Sequence, residues 1–202
     1  MINHNLKFLY THYPKCAGTT VRKHLMAHHR AGVDDEIEKV HYRHCSLEVT
    51  LNRLNELGLD PDDYFKFSFC RNPWELCISE YVFWKTTLPE HHKKIKKPLM
   101  RKSVFCINYP FKDYLSSEFC YSNFDSIYTL NGDFYIDFVL KKESLQQDFN
   151  QLCSVLDIEG GRLSIENTTK HDYYTTYYDA ESIDIVAKKY KKEIDQFSYD
   201  FN

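Results

Sequence analysis

Along the chain, apolar-rich runs that suit strands give way in turn to stretches with helical spacing. Lys7 to Tyr13 predicts a first strand and Thr19 to His29 a first helix. In "CSLEVTLNRLNELG" (45–58), Leu47, Leu51, Leu54 and Leu57 recur every three or four residues. This is one face of a helix, and Gly58 is its stop. "DYFKFSFC" (63–70) alternates aromatic and polar residues and predicts a strand. Asn72-Pro73 then opens a helix through "WELCISEYVFW", with proline at the first helical position, where its missing N–H costs little.

From Lys85 to Leu130 the pattern is weaker. "EHHKKIKKPLMRK" (90–102) reads as a basic loop or frayed helix, and "YPFKDYLSSEF" (109–119) as holding a short helix. "SIYTLNGDFYIDFVL" (126–140) gives two β-like runs around Asn131-Gly132, the pair that suits a type I′ turn. "ESLQQDFNQLCSVLDI" (143–158) is helical, with Gly160-Gly161 as its close, and a last helix is expected over Asp179 to Phe197. The layout is α/β: a central, mostly parallel sheet flanked by helices, expected as a single domain over 1–202.

Composition narrows the classes. The chain has 202 residues, and its 43% hydrophobic and 16% aromatic content excludes a disordered chain. A net charge of −3 gives no global sign of a nucleic-acid binder, so any basic site must be local. No apolar run reaches membrane-spanning length and no signal peptide is visible, so neither a membrane nor a nucleic acid is an expected partner. The seven cysteines are odd in number and form no CxxC pair, which reads as reduced thiols in a cytoplasmic protein. His28-His29 and His91-His92 are adjacent pairs without ligand-spaced partners, so no metal is expected.

The candidate chemistry begins in "FLYTHYPKCAGTTVRKHL" (8–25), a strand running into a small-residue turn and then a helix. Ala17 and Gly18 let a ligand approach the backbone. The N–H groups of Gly18, Thr19 and Thr20 are expected to face outward from the first helical turn, where unpaired donors and the helix dipole favour an anion. Lys15 adds charge and the threonine hydroxyls add donors. An ordinary capped turn is the alternative. A magnesium-dependent nucleotide kinase would show GxxxxGK[ST], whereas here the lysine precedes the glycine. In "FSFCRNPWELCISEY" (67–81), Arg71 falls at a strand's C-terminal end and Ser79 eight residues later on the next helix, a pair suited to a second phosphate.

"PKCAGTT" resembles the phosphosulfate-binding loop of the sulfotransferase family, and "FCRNPWELCISEY" resembles that family's 3′-phosphate-binding segment. "DFVLKKESLQQDFNQLCSVLDI" and the closing "ENTTKHDYYTTYYDAESIDIVAKKYKKEIDQFSYDF" are similar to the carbohydrate, Golgi-type branch, closest to uronyl 2-O-sulfotransferases. The resemblance implies a P-loop-type domain in which 85–130 is a variable, acceptor-side insertion. It implies 3′-phosphoadenosine 5′-phosphosulfate (PAPS) as sulfuryl donor, 3′,5′-ADP as product, and no metal. Lys15, Cys16, Ala17, Gly18, Thr19 and Thr20 would hold the phosphosulfate, and Arg71 and Ser79 the 3′-phosphate. Lys15 would neutralise the leaving oxygen. Cys16 stands where relatives often carry Thr or Ser, and no covalent step is assigned to it.

A base must take the acceptor's proton. "VHYRHCSLEV" (40–49) is similar to the histidine-bearing segment of the uronyl branch, with His44 the best match and His41 the second. Other branches use glutamate, which leaves Glu36, Glu38 and Glu48 open. Lys170, in "NTTKHDYY" (167–174), falls where relatives fold a loop over the nucleotide. Lys141-Lys142 replaces a pair often Arg-Phe in relatives, and Glu143 is given no chemistry. The 90–102 stretch has six Lys/Arg and two His in thirteen residues, which could grip an anionic carbohydrate or be a solvated loop. A divergent kinase and a catalytically silent relative that binds nucleotide or a partner stay open.

Overall fold

A computed structural model of the protein describes residues 1–37, 46–87, 97–164 and 171–202. The strands are β1 (Ile2–Asn3), β2 (Phe8–Tyr10), β3 (Phe65–Cys70), β4 (Thr129–Leu130), β5 (Asp133–Phe134) and β6 (Phe138–Lys141). The helices are α1 (Gly18–His28), α2 (Leu47–Glu56), α3 (Pro73–Val82), α4 (Lys97–Asn108), α5 (Phe111–Ser116), α6 (Phe124–Tyr128), α7 (Leu145–Val155), α8 (Ala180–Lys189) and α9 (Lys191–Phe197). These elements fall into two compact units, Met1–Arg71 with Asn123–Glu166, and Asn72–Ser122 with Asn167–Asn202.

The first unit is built on a four-stranded sheet in the order β1-β2-β3-β6. β2, β3 and β6 run parallel, with Tyr10 opposite Phe67 and Phe69 opposite Leu140, and β1 pairs antiparallel with β2. The expected α/β class with a mostly parallel sheet is therefore observed. A parallel strand covered on both faces is buried on both: five of the six residues of β3 are buried although the run alternates aromatic and polar, Lys66 and Ser68 included. Lys66 donates to the Tyr64 carbonyl, and Ser68 accepts from Thr11 on the neighbouring chain segment, so both polar side chains of β3 have partners inside the sheet.

The hairpin turn is formed as its sequence predicts. Asn131 (φ 54°) and Gly132 (φ 92°) are both left-handed and join β4 to β5, which make a separate two-stranded sheet. Of the run before it, only Thr129–Leu130 is strand. Phe124, Ile127 and Tyr128 are buried at helical spacing and form α6, so "SIY" belongs to a helix whose first anchor lies two residues earlier. α2 ends at Gly58 (φ 68°), whose N–H bonds to Asn55 while that of Leu59 reaches Leu54. α7 closes in the same way, but with Asp157 (φ 51°) in the left-handed position, earlier than Gly160-Gly161.

The second unit is helical. Asn72 accepts from the N–H groups of Trp74 and Glu75 and starts α3, as the Asn-Pro pair implies. The closing helix is two helices, α8 capped by Asp179 and Ser182 reciprocally, and α9, with the break at Tyr190 (φ −110°, ψ 25°). Within the 90–102 stretch, residues 90–96 lie outside the described residues. Lys102 leaves the solvated set: it is 7% exposed, 2.6 Å from Glu80, with the rings of Trp84, Tyr114 and Tyr121 each 5.5 Å away. Arg101 pairs on the surface with Glu118. None of the six described cysteines forms a disulfide, and all six are buried. Among the described residues no helix is long and apolar enough to cross a membrane.

Candidate functional site

The candidate site stands at the C-terminal ends of β2 and β3, where open parallel sheets present their loops to ligands. β2 continues through Thr11, whose hydroxyl lies 3.0 Å from both Ser68 Oγ and the Ile127 carbonyl. This ties the departing chain to β3 and α6 before the turn begins. Asn123 N–H donates to the Tyr13 hydroxyl at 2.9 Å, a second tie between the loop and the same unit.

The turn itself carries two left-handed residues that are not glycine, Lys15 (φ 63°) and Ala17 (φ 65°). Such a conformation costs on the order of 1–3 kcal/mol each, so surrounding contacts must hold it. Cys16 N–H reaches the Tyr13 carbonyl at 3.4 Å, and Arg71 Nη1 donates to the Lys15 carbonyl at 3.0 Å. Arg71 directly follows β3 and is 8% exposed. A guanidinium has five donors in a planar fork, which allows it to hold a backbone carbonyl and still face an anion.

α1 begins at Gly18 with Ala17 as its N-cap residue and no capping side chain. The N–H groups expected to face outward are reduced by one. Thr20 N–H donates back to the Ala17 carbonyl at 3.0 Å, and those of Gly18 and Thr19 are the donors left at the helix start. Their partial positive charge adds to that of Lys15. Gly18 has a role the sequence does not reveal. Its dihedral is ordinary, but a Cβ there would stand 2.6 Å from Cδ2 and 2.8 Å from Nε2 of His12. The buried His12 ring occupies the space below the helix start, and Phe69 closes it at 3.2 Å.

Lys15, Cys16, Ala17, Gly18, Thr19, Thr20 and Arg71 are thus brought together in the first unit. Ser79 belongs to the second, on α3, and is buried, 1% exposed. His44, its rival His41 and Glu38 lie outside the described residues, as does Lys170. Glu36 and Glu48 are described, at the surface.

The segment leading toward the candidate base is anchored by a residue that sequence reading passed over. Asp34 accepts from the N–H groups of Glu36 and Ile37, at 2.9 and 3.1 Å, and from Arg53 Nε at 2.9 Å, with His4 Nε2 at 3.4 Å. Burial pushes the Asp34 carboxyl up, but the Ile37 N–H and Arg53 outweigh it and hold the carboxyl below its ordinary value. The signal available in sequence was "DDE" before an apolar residue, a helix-start pattern.

The arrangement is a basic, donor-rich cradle at a helix N-terminus, with one lysine poised on the turn and one arginine bracing it. It fits an anion of the phosphate or sulfate type. Among the described residues no group of three or more His, Cys, Asp or Glu is placed to hold a metal ion. The model of the Sulfotransferase family matches residues 1–200, nearly the whole chain. No curated protein matches, and no solved structure does.

Proposed function

The chain belongs to the sulfotransferase family, and on that premise we propose that it moves a sulfuryl group in line from PAPS to a hydroxyl of a carbohydrate-type acceptor. The observation that supports this most is the pairing of Lys15 and Arg71 at the ends of neighbouring parallel strands, joined by a hydrogen bond. The donor set fits the cofactor: open N–H groups at Gly18 and Thr19, the Lys15 ammonium and the Arg71 fork all favour a polyanionic nucleotide. PAPS, when bound, supplies the sulfuryl group on a phosphate leaving group.

In this reading the protein mainly positions groups and stabilises charge, as in phosphoryl transfer. Lys15 neutralises the oxygen that keeps the electron pair as the bond breaks. The Gly18 and Thr19 N–H groups hold the 5′ end. Arg71 holds the 3′-phosphate, and the spacing of the motif assigns Ser79 to the same group. His44 takes the acceptor's proton, an assignment that rests on its sequence segment, as does that of Lys170 to the nucleotide.

Transfer of radiolabelled sulfuryl from PAPS to uronate-containing oligosaccharides tests the reading. Lys15→Ala is expected to lower the rate by roughly 10²–10³-fold, the usual loss when a charge-stabilising contact at the reacting centre is removed. His44→Ala is expected to abolish transfer while leaving affinity for 3′,5′-ADP within a few-fold. A Lys15→Ala enzyme with full activity would remove Lys15 from its role, and a His44→Ala enzyme that still turns over would return the base to His41 or a glutamate.

A further inference from the structure

Lys15 and Ala17 place two left-handed, non-glycine residues within three positions, and such a turn does not hold itself. Cys16 N–H to the Tyr13 carbonyl is long, at 3.4 Å, and Thr20 N–H to Ala17 lies on the helix side. A contact from outside the turn falls on its left-handed residue itself: Arg71 Nη1 donates to the Lys15 carbonyl, at 3.0 Å and across 56 residues of sequence. Arg71 is well placed for this. It directly follows β3, the strand that is hydrogen-bonded on both sides, by β2 and β6.

We propose that Arg71 is a positioning residue for the phosphate loop: by holding the Lys15 carbonyl it keeps the loop in its left-handed form, so that binding at the 5′ end depends on a side chain assigned to the 3′ end. The proposal rests on the cofactor reading above and goes beyond it. A residue that only bound the 3′-phosphate would be silent toward a nucleotide lacking one. A brace is not silent, because the donors at Gly18 and Thr19 and the Lys15 ammonium face the ligand only while the turn keeps its shape. The guanidinium links the two ends physically: the same planar group touches the loop's backbone and carries the charge for the second phosphate. Lysine at this position would keep the charge but lack the planar guanidinium, whose fixed geometry is what meets the Lys15 carbonyl whether or not a 3′-phosphate is present.

The experiment is calorimetric titration of the full chain with 5′-AMP, which has only the 5′-phosphate, and with 3′,5′-ADP. Arg71→Lys is expected to weaken 5′-AMP about tenfold or more, and 3′,5′-ADP by at least as much. Ser79→Ala, the other residue assigned to the 3′-phosphate, is expected to weaken 3′,5′-ADP while leaving 5′-AMP within about twofold. An Arg71→Lys protein that loses 3′,5′-ADP affinity but binds 5′-AMP as the parent does overturns the proposal and leaves the cofactor reading standing. Equal loss of 5′-AMP in Ser79→Ala also overturns it, since the effect would then not be particular to the Arg71–Lys15 contact. A parent protein that binds neither nucleotide removes the cofactor reading and this proposal together. Arg71→Gln, neutral but still a planar donor, asks the same question should the lysine variant not fold.

Discussion

A methyl group at position 18 would meet His12 at 2.6 Å, well inside any real carbon contact, and the His12 ring sits between Gly18 and the apolar side chains of β2 and β3. Glycine is therefore dictated there by packing from below, not by a special dihedral. Gly18→Ala is expected to destabilise the protein by about 1–3 kcal/mol, the usual cost of overpacking, and to weaken 3′,5′-ADP because the helix start shifts. Adding His12→Ala opens the occupied space, leaving only Phe69 at 3.2 Å, so the double variant should recover part of both losses. Urea unfolding of the two singles and the double measures this coupling; additive losses would mean that the two residues do not share the space. The residue types of this loop were legible from "PKCAGTT", because small residues before a helix carry their own meaning. The contacts that shape it were not: His12 against Gly18 and Arg71 against Lys15 depend on where β2 and β3 come to rest beside one another, which no local pattern encodes.

Local chemistry is most readable at the element boundaries. Asn72 caps α3 through Trp74 and Glu75 and also donates to the Asp200 carbonyl at 2.9 Å. Asn72→Ala is expected to cost about 1 kcal/mol, seen as a lower urea midpoint with an unchanged slope; an unaltered midpoint would mean that Pro73 alone sets the helix start. The Asn131-Gly132 hairpin and the stop at Gly58 were readable for the same reason, since a left-handed residue is needed and the sequence supplies one that tolerates it. Reading failed where tertiary packing overrode local preference. β-prone Ile127 and Tyr128 are helical because, with Phe124, they bury one face of α6. Asp157 takes the left-handed cap of α7 although two glycines follow three residues later.

At the scale of the molecule, acid stability follows from groups that resist protonation when folded. His24 lies against His28 with ring centroids 4.5 Å apart and the planes tilted by 39°, and it meets Phe149 edge-on, while its Nε2 is buried without a hydrogen bond. Burial first, then the positive charges of His28 and His29, hold its pKa below the ordinary 6.5. The unfolded chain thus takes this proton before the folded one does. The stability tied to His24 is whole above pH 6.5 and declines as the pH falls below it. Asp34, with its carboxyl held below 3.8, adds stability that is whole above that value and is lost as pH drops through the folded one. Stability should therefore fall in two stages on the acid side, and His24→Leu should flatten the first. Urea melts from pH 8 to pH 3 check this, and a parent protein equally stable at pH 8 and pH 5 would count against the His24 assignment.

The proposed occupant of the cradle around Lys15 and Arg71 is a nucleotide with phosphates at both ends of its ribose. Thermal-shift titration with 3′,5′-ADP, against 5′-ADP and ATP with magnesium, tests it most directly. A ligand that binds only the folded state at a hundredfold excess over Kd stabilises it by about 2.7 kcal/mol. A clear rise in Tm is expected with 3′,5′-ADP, a smaller one with 5′-ADP, and no benefit from magnesium. Stabilisation by ATP with magnesium and none by 3′,5′-ADP would contradict it.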